Sequence, residues 1–288
     1  MTVLEVIQRS TEFLAKKGVD SPRLQAELLL AHLLKLPRMQ LYLNFERTIS
    51  PKEEGDFREL IKRRGQREPL QHIIGSVSFC GYEIAVNHHV LIPRPDTELL
   101  AACGWEYLHH LSTITSQPST AFDWGTGSGC IAIALVCKLP ALQVLASDSS
   151  PQALDLGKKN AANNSVADRI QFLLGHGFSA VPKNTQFDLI ISNPPYIPTA
   201  EIDSLQPEVR DYDPRSALDG GHDGLDHIRQ IAAEALRFLK PSGRLMLEFG
   251  DGQAGAVCQL FSEQKWIVED IVEDYTQRPR IFIGKRPT

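Results

Sequence analysis

The sequence has no CxxC pair, and its five cysteines (Cys80, Cys103, Cys130, Cys137 and Cys258) are scattered and odd in number. Such spacing speaks against a disulfide framework and against a zinc site. No apolar run approaches the roughly 18 residues that a membrane-spanning helix needs. The opening segment, MTVLEVIQRSTEFLAKKG, is amphipathic and lacks the basic-then-apolar order of a cleavable signal peptide. The cytoplasm is therefore the expected location, with no membrane partner. A net charge of −5 leaves no basic excess for indiscriminate binding to nucleic acid. Internal repeats and low-complexity tracts are also missing. The 42% hydrophobic and 23% charged content is that of a soluble globular chain, and 288 residues suffice for one large domain or two ordinary ones.

Charge is uneven along the chain. Residues 1–70 hold 13 basic and 10 acidic side chains, whereas the rest holds 17 and 25, so the basic character is confined to the start. Its main source is KRRGQR, Lys62 to Arg67. One reading is a solvated helix end, where cations favour the C-terminal dipole; the other is a contact with RNA or an acidic partner.

The first stretch reads as helices only. Val3, Leu4, Ile7, Phe13 and Leu14 recur at helical spacing. Ser21-Pro22 and Ser50-Pro51 each resemble an N-cap followed by proline at the first helical position, opening helices that run to Pro37 and to about Arg64. Beyond Pro69, short β-branched and aromatic runs flank Gly81 and predict a hairpin. A helix from Thr97 to Leu111 and a polar linker, STITSQPST, follow. From Ala121 strands and helices alternate, which predicts βαβ units and a mostly parallel sheet with helices on both faces. The last two strands are joined by only a short loop, so they should be antiparallel. The expected boundaries are residues 1–68 for a helical domain, 69–96 for a hairpin linker and 97–288 for the α/β domain.

DWGTGSG, residues 123 to 129, lies between a strand and a helix. Gly125, Gly127 and Gly129 let backbone approach a ligand closely, and the helix start offers free N–H groups. Nineteen residues after Gly129 the second strand ends in Asp148, a carboxylate able to accept both hydroxyls of a ribose. A dinucleotide site would want G-x-G-x-x-G. Here the spacing is G-x-G-x-G with Asp123 ahead of it, the pattern of S-adenosylmethionine enzymes. A nicotinamide site and a glycine turn without ligand are the two competing readings.

The fourth strand of the alternating region ends in Asn193-Pro194-Pro195-Tyr196, so this turn and the glycine loop should face one cleft. Asn193 offers a side-chain carbonyl and Pro194 its backbone carbonyl, two acceptors for the two N–H donors of an amide or aryl amine. Tyr196 and the proline rings offer flat apolar faces. No nucleophile or general base is present. The group reads as a device for aiming an NH2 at an electrophile. The histidines, His88, His89, His109 and His110 among them, show no metal-ligand spacing and read as surface residues.

Taken together, DWGTGSG, SNPPYI, PLQHIIG, VLIPRPDTE, VRDYDPRSALDGGHDGLD and LEFGDGQ resemble the release-factor glutamine methyltransferases (HemK/PrmC family) over essentially the whole chain. The resemblance implies a Rossmann-like class I methyltransferase fold: a mostly parallel seven-stranded sheet with an antiparallel last strand, after a small N-terminal helical bundle that recognises substrate. It implies methyl transfer from S-adenosylmethionine to the glutamine amide nitrogen of the Gly-Gly-Gln motif in class I peptide-chain release factors. The product is S-adenosylhomocysteine, no metal takes part, and a monomer is expected. Asp123, Gly125, Thr126, Gly127, Ser128, Gly129, Asp148 and Asn193 would serve the cofactor. Asn193, Pro194, Pro195 and Tyr196, with Arg94, would hold the substrate. His176 stands where many members have an acidic residue and Gly177 where a bulky ring is frequent, so the adenine contact is expected at Gly177 and Phe178, from the Phe178 ring or from backbone N–H groups. Asp213-Pro214 replaces a Glu-Pro pair. An adenine N6 methyltransferase on DNA or RNA shares the NPPY motif, but it wants a large basic recognition region. A scaffold that kept the fold without catalysis is a further alternative.

Overall fold

The computed structural model describes residues 1–115 and 117–287. Two compact units are present, Met1–Ser76 with Gln206–Tyr212, and Val77–Leu205 with Asp213–Thr288.

The first unit is helical: α1 (Val3–Lys16), α2 (Pro22–Leu34), α3 (Arg38–Leu43), α4 (Pro51–Gly65), α5 (Leu70–Ile74) and, from far along the chain, α9 (Pro207–Arg210). Capping boxes start two of them, Thr2 with Glu5 and Ser50 with Glu53, each satisfying backbone donors that the first turn leaves free. Ser21 departs from expectation. Its backbone is left-handed (φ 47°) and its side chain makes no capping hydrogen bond, so only Pro22 marks that start. Val3, Val6, Ile7 and Leu14 of α1 join Leu29 and Leu30 of α2 and Phe57 and Ile61 of α4 in one core. Each such side chain contributes roughly 1.5–3 kcal/mol, and helices this short are marginal in water without it. Phe13 is not part of that core; its exposed ring instead covers Gly65, where an added Cβ would come within 2.5 Å of it.

The basic cluster follows neither sequence reading as it stands. Arg64, only 4% exposed, donates to Glu208 at 2.7 Å and also to Gln25. Arg67 donates to the same Glu208 at 2.6 Å, and Arg63 pairs with Glu68. The charge is largely neutralised inside the unit by α9 and by the turn after α4.

In the second unit, strands β1 (Ser76–Phe79) and β2 (Tyr82–Ala85) form the expected hairpin. Its two central residues, Cys80 and Gly81, have φ of 51° and 85°, as the tight turns compatible with strand twist require. Helix α6 (Pro95–Ile114) outruns the expected end, so the linker before β3 (Thr120–Trp124) is short; Ser116 within it lies outside the described residues. Then come α7 (Cys130–Lys138), β4 (Gln143–Asp148), α8 (Pro151–Asn163), β5 (Ile170–Leu174), β6 (Phe187–Ser192), α10 (Asp226–Glu234), β7 (Leu239–Glu248), α11 (Ala254–Glu263), β8 (Ile267–Glu273) and β9 (Pro279–Lys285). The seven-stranded sheet has the order β5-β4-β3-β6-β7-β9-β8, and only β9 runs against its neighbours. Helices cover both faces, which explains why β6 is buried at every position. Strand order reverses between β3 and β6, the place where open α/β sheets bind ligands. Trp124 and Ser192 are register partners there, which sets the loop after one strand beside the turn after the other.

If Glu208 neutralises the buried Arg64, Glu208→Ala should lower the stability of the helical unit by about 3 kcal/mol. Thermal denaturation beside Lys62→Ala, which alters an exposed cation of the same cluster, reads this out. Equal melting temperatures for both variants would show that Arg64 is solvated and needs no partner.

Candidate active site

At the end of β3 the chain turns through Gly125 and Gly127, both with positive φ (73° and 55°), and an added Cβ at either would meet nothing within 4 Å. The loop backbone therefore borders open space. Three contacts hold its shape. Gly127 N donates to Asp148 Oδ2 (2.9 Å), Thr126 N to the Ser147 carbonyl (2.9 Å), and Asn160 Nδ2 to the Ser128 carbonyl (2.9 Å). Ser150 N donates to the other oxygen of Asp148 (2.8 Å). An ionised carboxylate has about four acceptor sites, so Asp148 keeps capacity toward the cleft.

The turn after β6 is gripped from several sides. Ser192 Oγ donates to the Trp124 carbonyl (2.8 Å), and Ile197 exchanges backbone hydrogen bonds with Leu218 and Gly220 (3.0 and 2.8 Å). Gln253 Nε2 donates to the Tyr196 carbonyl (3.0 Å) while its Oε1 accepts from Gly250 N (2.7 Å). Glycines make the fit possible: a Cβ at Gly224 would lie 2.3 Å from the Tyr196 carbonyl oxygen and one at Gly220 2.8 Å from Tyr196 Cα. Thus the glycine-rich segment 219–224 and LEFGDGQ serve to clamp the NPPY turn. Asn193 Nδ2 donates to Thr97 Oγ1 (2.9 Å), Thr97 donates to Glu248 Oε2 (2.7 Å), and the Tyr196 hydroxyl donates to Glu248 Oε1 (3.1 Å). Among the described residues, no hydrogen bond takes Asn193 Oδ1 or the Pro194 carbonyl.

These parts enclose one cavity of ≈ 300 Å³. Its wall includes Gly125, Thr126, Gly127, Ser128, Asp148, Gly177, Asn193, Pro195 and Arg94. Several expected site residues lie elsewhere. Asp123 is fully buried under the loop, where the Thr126 hydroxyl donates to its Oδ2 (2.6 Å); it braces the turn and does not face the cavity. Burial pushes its carboxyl up to about 7. Gly129 and Pro194 sit behind the wall, Gly129 packed against Gly157. The Tyr196 ring is directed toward Glu248, with the Arg280 guanidinium over one face at 6.0 Å. Arg94 is tied to the buried Asp213 at 2.6 Å. Burial raises the Asp213 carboxyl to about 6, against the opposing pull of Arg94.

Phe178 does not contact the cavity. It stacks on Phe238 (centroids 4.8 Å apart) and packs against Phe122 inside the core. Trp124 explains the neighbouring Gly177. A Cβ at Gly177 would lie 2.1 Å from Trp124 Nε1, so the indole already fills the volume of a side chain there. His227, which sequence reading places at the surface, is half-buried, lines the cavity and meets Trp124 edge-on at 5.7 Å. Burial lowers its imidazole below the usual range. Thr97, Trp124, His227, Glu248 and Gln253 are the residues sequence reasoning missed. Thr97, Trp124, Glu248 and Gln253 lie in segments already quoted as motif matches, but nothing in one dimension says what they touch.

The cavity suits S-adenosylmethionine better than a dinucleotide. Ser147 Oγ and Trp124 Nε1 are buried polar atoms of the wall without a hydrogen-bond partner among the described residues. Asp148 and Asp219 contribute negative charge, whereas the guanidinium on the wall, Arg94, is already paired with Asp213. A sulfonium and an ammonium match such a wall; a pyrophosphate does not.

Residues 5–75 match the PrmC N-terminal domain family and residues 107–205 the methyltransferase small domain family. The chain is 44% identical to the release factor glutamine methyltransferase of Geobacter sulfurreducens, over 91% of this chain and 88% of that protein. It is 40% identical to the release factor glutamine methyltransferase of Chlorobaculum tepidum, over 97% and 95% respectively. Among solved structures, a methyltransferase from Pyrococcus furiosus superimposes with a TM-score of 0.50 at 18% identity, covering 71% of this chain and 88% of that one. That last likeness concerns the fold alone.

Gly177→Ala should destabilise the protein by roughly 1–3 kcal/mol through overpacking on Trp124, and Trp124→Leu in the same chain should relieve it. Melting curves of the single and double variants decide; an additive double variant would rule out the contact. Asp123 predicts a pH slope. The unfolded chain releases this proton near 3.8 and the fold holds it to about 7, so stability falls as pH rises between those values. Asp123→Asn should flatten that part of the denaturation profile.

Proposed function

The chain belongs to the release factor glutamine methyltransferase family, and from that premise we propose that it methylates the side-chain amide nitrogen of the glutamine in the Gly-Gly-Gln motif of class I peptide-chain release factors. The observation that carries this reading is the shared cavity. Asn193 and the glycine loop line one wall, with Asn193 Oδ1 unused among the described residues; Pro194, buried behind that wall, would meet the substrate only through its backbone carbonyl. An amide nitrogen is a poor nucleophile because its lone pair is delocalised into the carbonyl. Two acceptors, one on each N–H, fix its direction and favour the pyramidal nitrogen of the transition state. The clamp of Gly220, Gly224 and Gln253 keeps those acceptors from moving.

S-adenosylmethionine, when bound, would supply a methyl group already activated on a positive sulfur. Asp148 would accept the ribose hydroxyls, and Gly125 to Ser128 would lie along the methionine and ribose side. Trp124 and Gly177 would bound the adenine end. The helical region, residues 1–68, would recognise the release factor, since the described catalytic wall draws no residue from it. The cytoplasm is the proposed place of action; among the described residues no helix is long and apolar enough to cross a membrane.

Purified protein, S-adenosylmethionine labelled in its methyl group and a recombinant class I release factor should give a labelled factor. Replacing the Gly-Gly-Gln glutamine with alanine should abolish the label. Label on DNA or RNA adenine with none on the factor would overturn the assignment. Asn193→Ala should lower kcat by about 10²-fold, as loss of a transition-state contact does, with cofactor affinity measured by calorimetry little changed. Equal loss of both would make Asn193 a cofactor residue.

A further inference from the structure

Glu248 closes β7 at 1% exposure and does not line the cavity itself. Its two oxygens each accept one hydroxyl, from Thr97 and from Tyr196. A hydroxyl has one proton and two lone pairs. When Thr97 donates that proton to a carboxylate, it can offer Asn193 only an acceptor. Asn193 must then turn its NH2 toward Thr97, as it does at 2.9 Å, and its carbonyl toward the cavity. The reverse orientation would set donor against donor when a substrate amide arrives.

We propose that Glu248, acting through Thr97, is the positioning residue that fixes which end of the Asn193 amide faces the substrate. This rests on the role given to Asn193 above. A neutral Glu248 loses the directionality, because its own proton can be donated to Thr97, whose hydroxyl is then free to donate to Asn193 Oδ1. The charged groups around Glu248 are Arg280 on β9 and Asp96 in the first turn of α6, themselves 3.4 Å apart, and the Tyr196 ring lies under the Arg280 guanidinium. Burial raises the Glu248 carboxyl above the ordinary carboxylate range, and the hydroxyls of Thr97 and Tyr196, with Arg280 behind them, only partly offset it.

Thr97→Val, which keeps the shape and removes the hydroxyl, should lower kcat roughly 10–100-fold, the scale of a misaligned group, with the Kd for S-adenosylmethionine unchanged. Thr97→Ser should restore most of the rate. The wild-type kcat should also fall on the acid side as Glu248 takes up its proton, and that limb should vanish in Glu248→Gln; a limb that persists in Glu248→Gln belongs to another group of the site and overturns the Glu248 assignment. A second readout is independent of any release factor. In protein labelled with 15N-asparagine, one proton of the Asn193 NH2, identified by its loss in Asn193→Ala, should be shifted downfield and protected from exchange. It should stay so in Thr97→Ser and lose both features in Thr97→Val. That signature in a protein that fails to methylate the factor would uphold the orientation and discard the substrate reading. An Asn193 signal indifferent to Thr97→Val, or a Thr97→Val enzyme with wild-type kcat, would overturn the orientation.

Discussion

The pairing of Trp124 with Ser192 across β3 and β6 is the constraint on which the site depends. These residues are the last of their strands, in register, and joined again by the Ser192 hydroxyl to the Trp124 carbonyl. The next residue on each strand is Gly125 on one side and Asn193 on the other. A slip of one residue would turn every side chain to the opposite face of the sheet and separate the glycine loop from the NPPY turn. Both strands are buried by helices on either face, and that burial specifies the register strongly. The sheet is therefore the frame that turns two distant motifs into one cavity.

Around that frame the acids divide their work by partner. Asp148 accepts backbone N–H groups and keeps capacity for a ligand, whereas Asp123 accepts the Thr126 hydroxyl under the loop. Glu248 takes two hydroxyls and aligns the NPPY turn, and Asp213 takes Arg94. Burial raises the last three from their usual values, and the number and charge of the donors set how far each is held back. Glycine plays the complementary part. At Gly224 and Gly177 a side chain would collide with Tyr196 and Trp124, so the absence of a Cβ is what lets the turn and the indole occupy their places.

Much of this was legible along the chain. The βαβ alternation, the antiparallel final pair, the hairpin at Gly81 and the adjacency of the two loops follow from periodicity and connection length, which are local properties. Asp148 was legible because the spacing from a glycine loop to the end of the next strand is set by one helix. Other expectations failed where a neighbour distant in sequence decided the outcome. Phe178 reads as a ligand-facing ring beside Gly177, yet Phe122 and Phe238 draw it into the core. His227 reads as a surface histidine and lies against Trp124. The basic cluster reads as free charge because its partner, Glu208, is more than a hundred residues away.

Sequence alone determined the chemistry available: a glycine loop after a strand, a carboxylate at the end of the next, and an amide acceptor held by two prolines. Those are fixed by residue type and short spacing, which need no knowledge of the rest of the chain. Tertiary structure decided which groups face the cavity and in which direction they point. Nothing local tells Asn193 which end of its amide to present. Thr97 and Glu248, brought from α6 and β7 to its side, leave it one arrangement in which the Thr97 hydroxyl meets a donor.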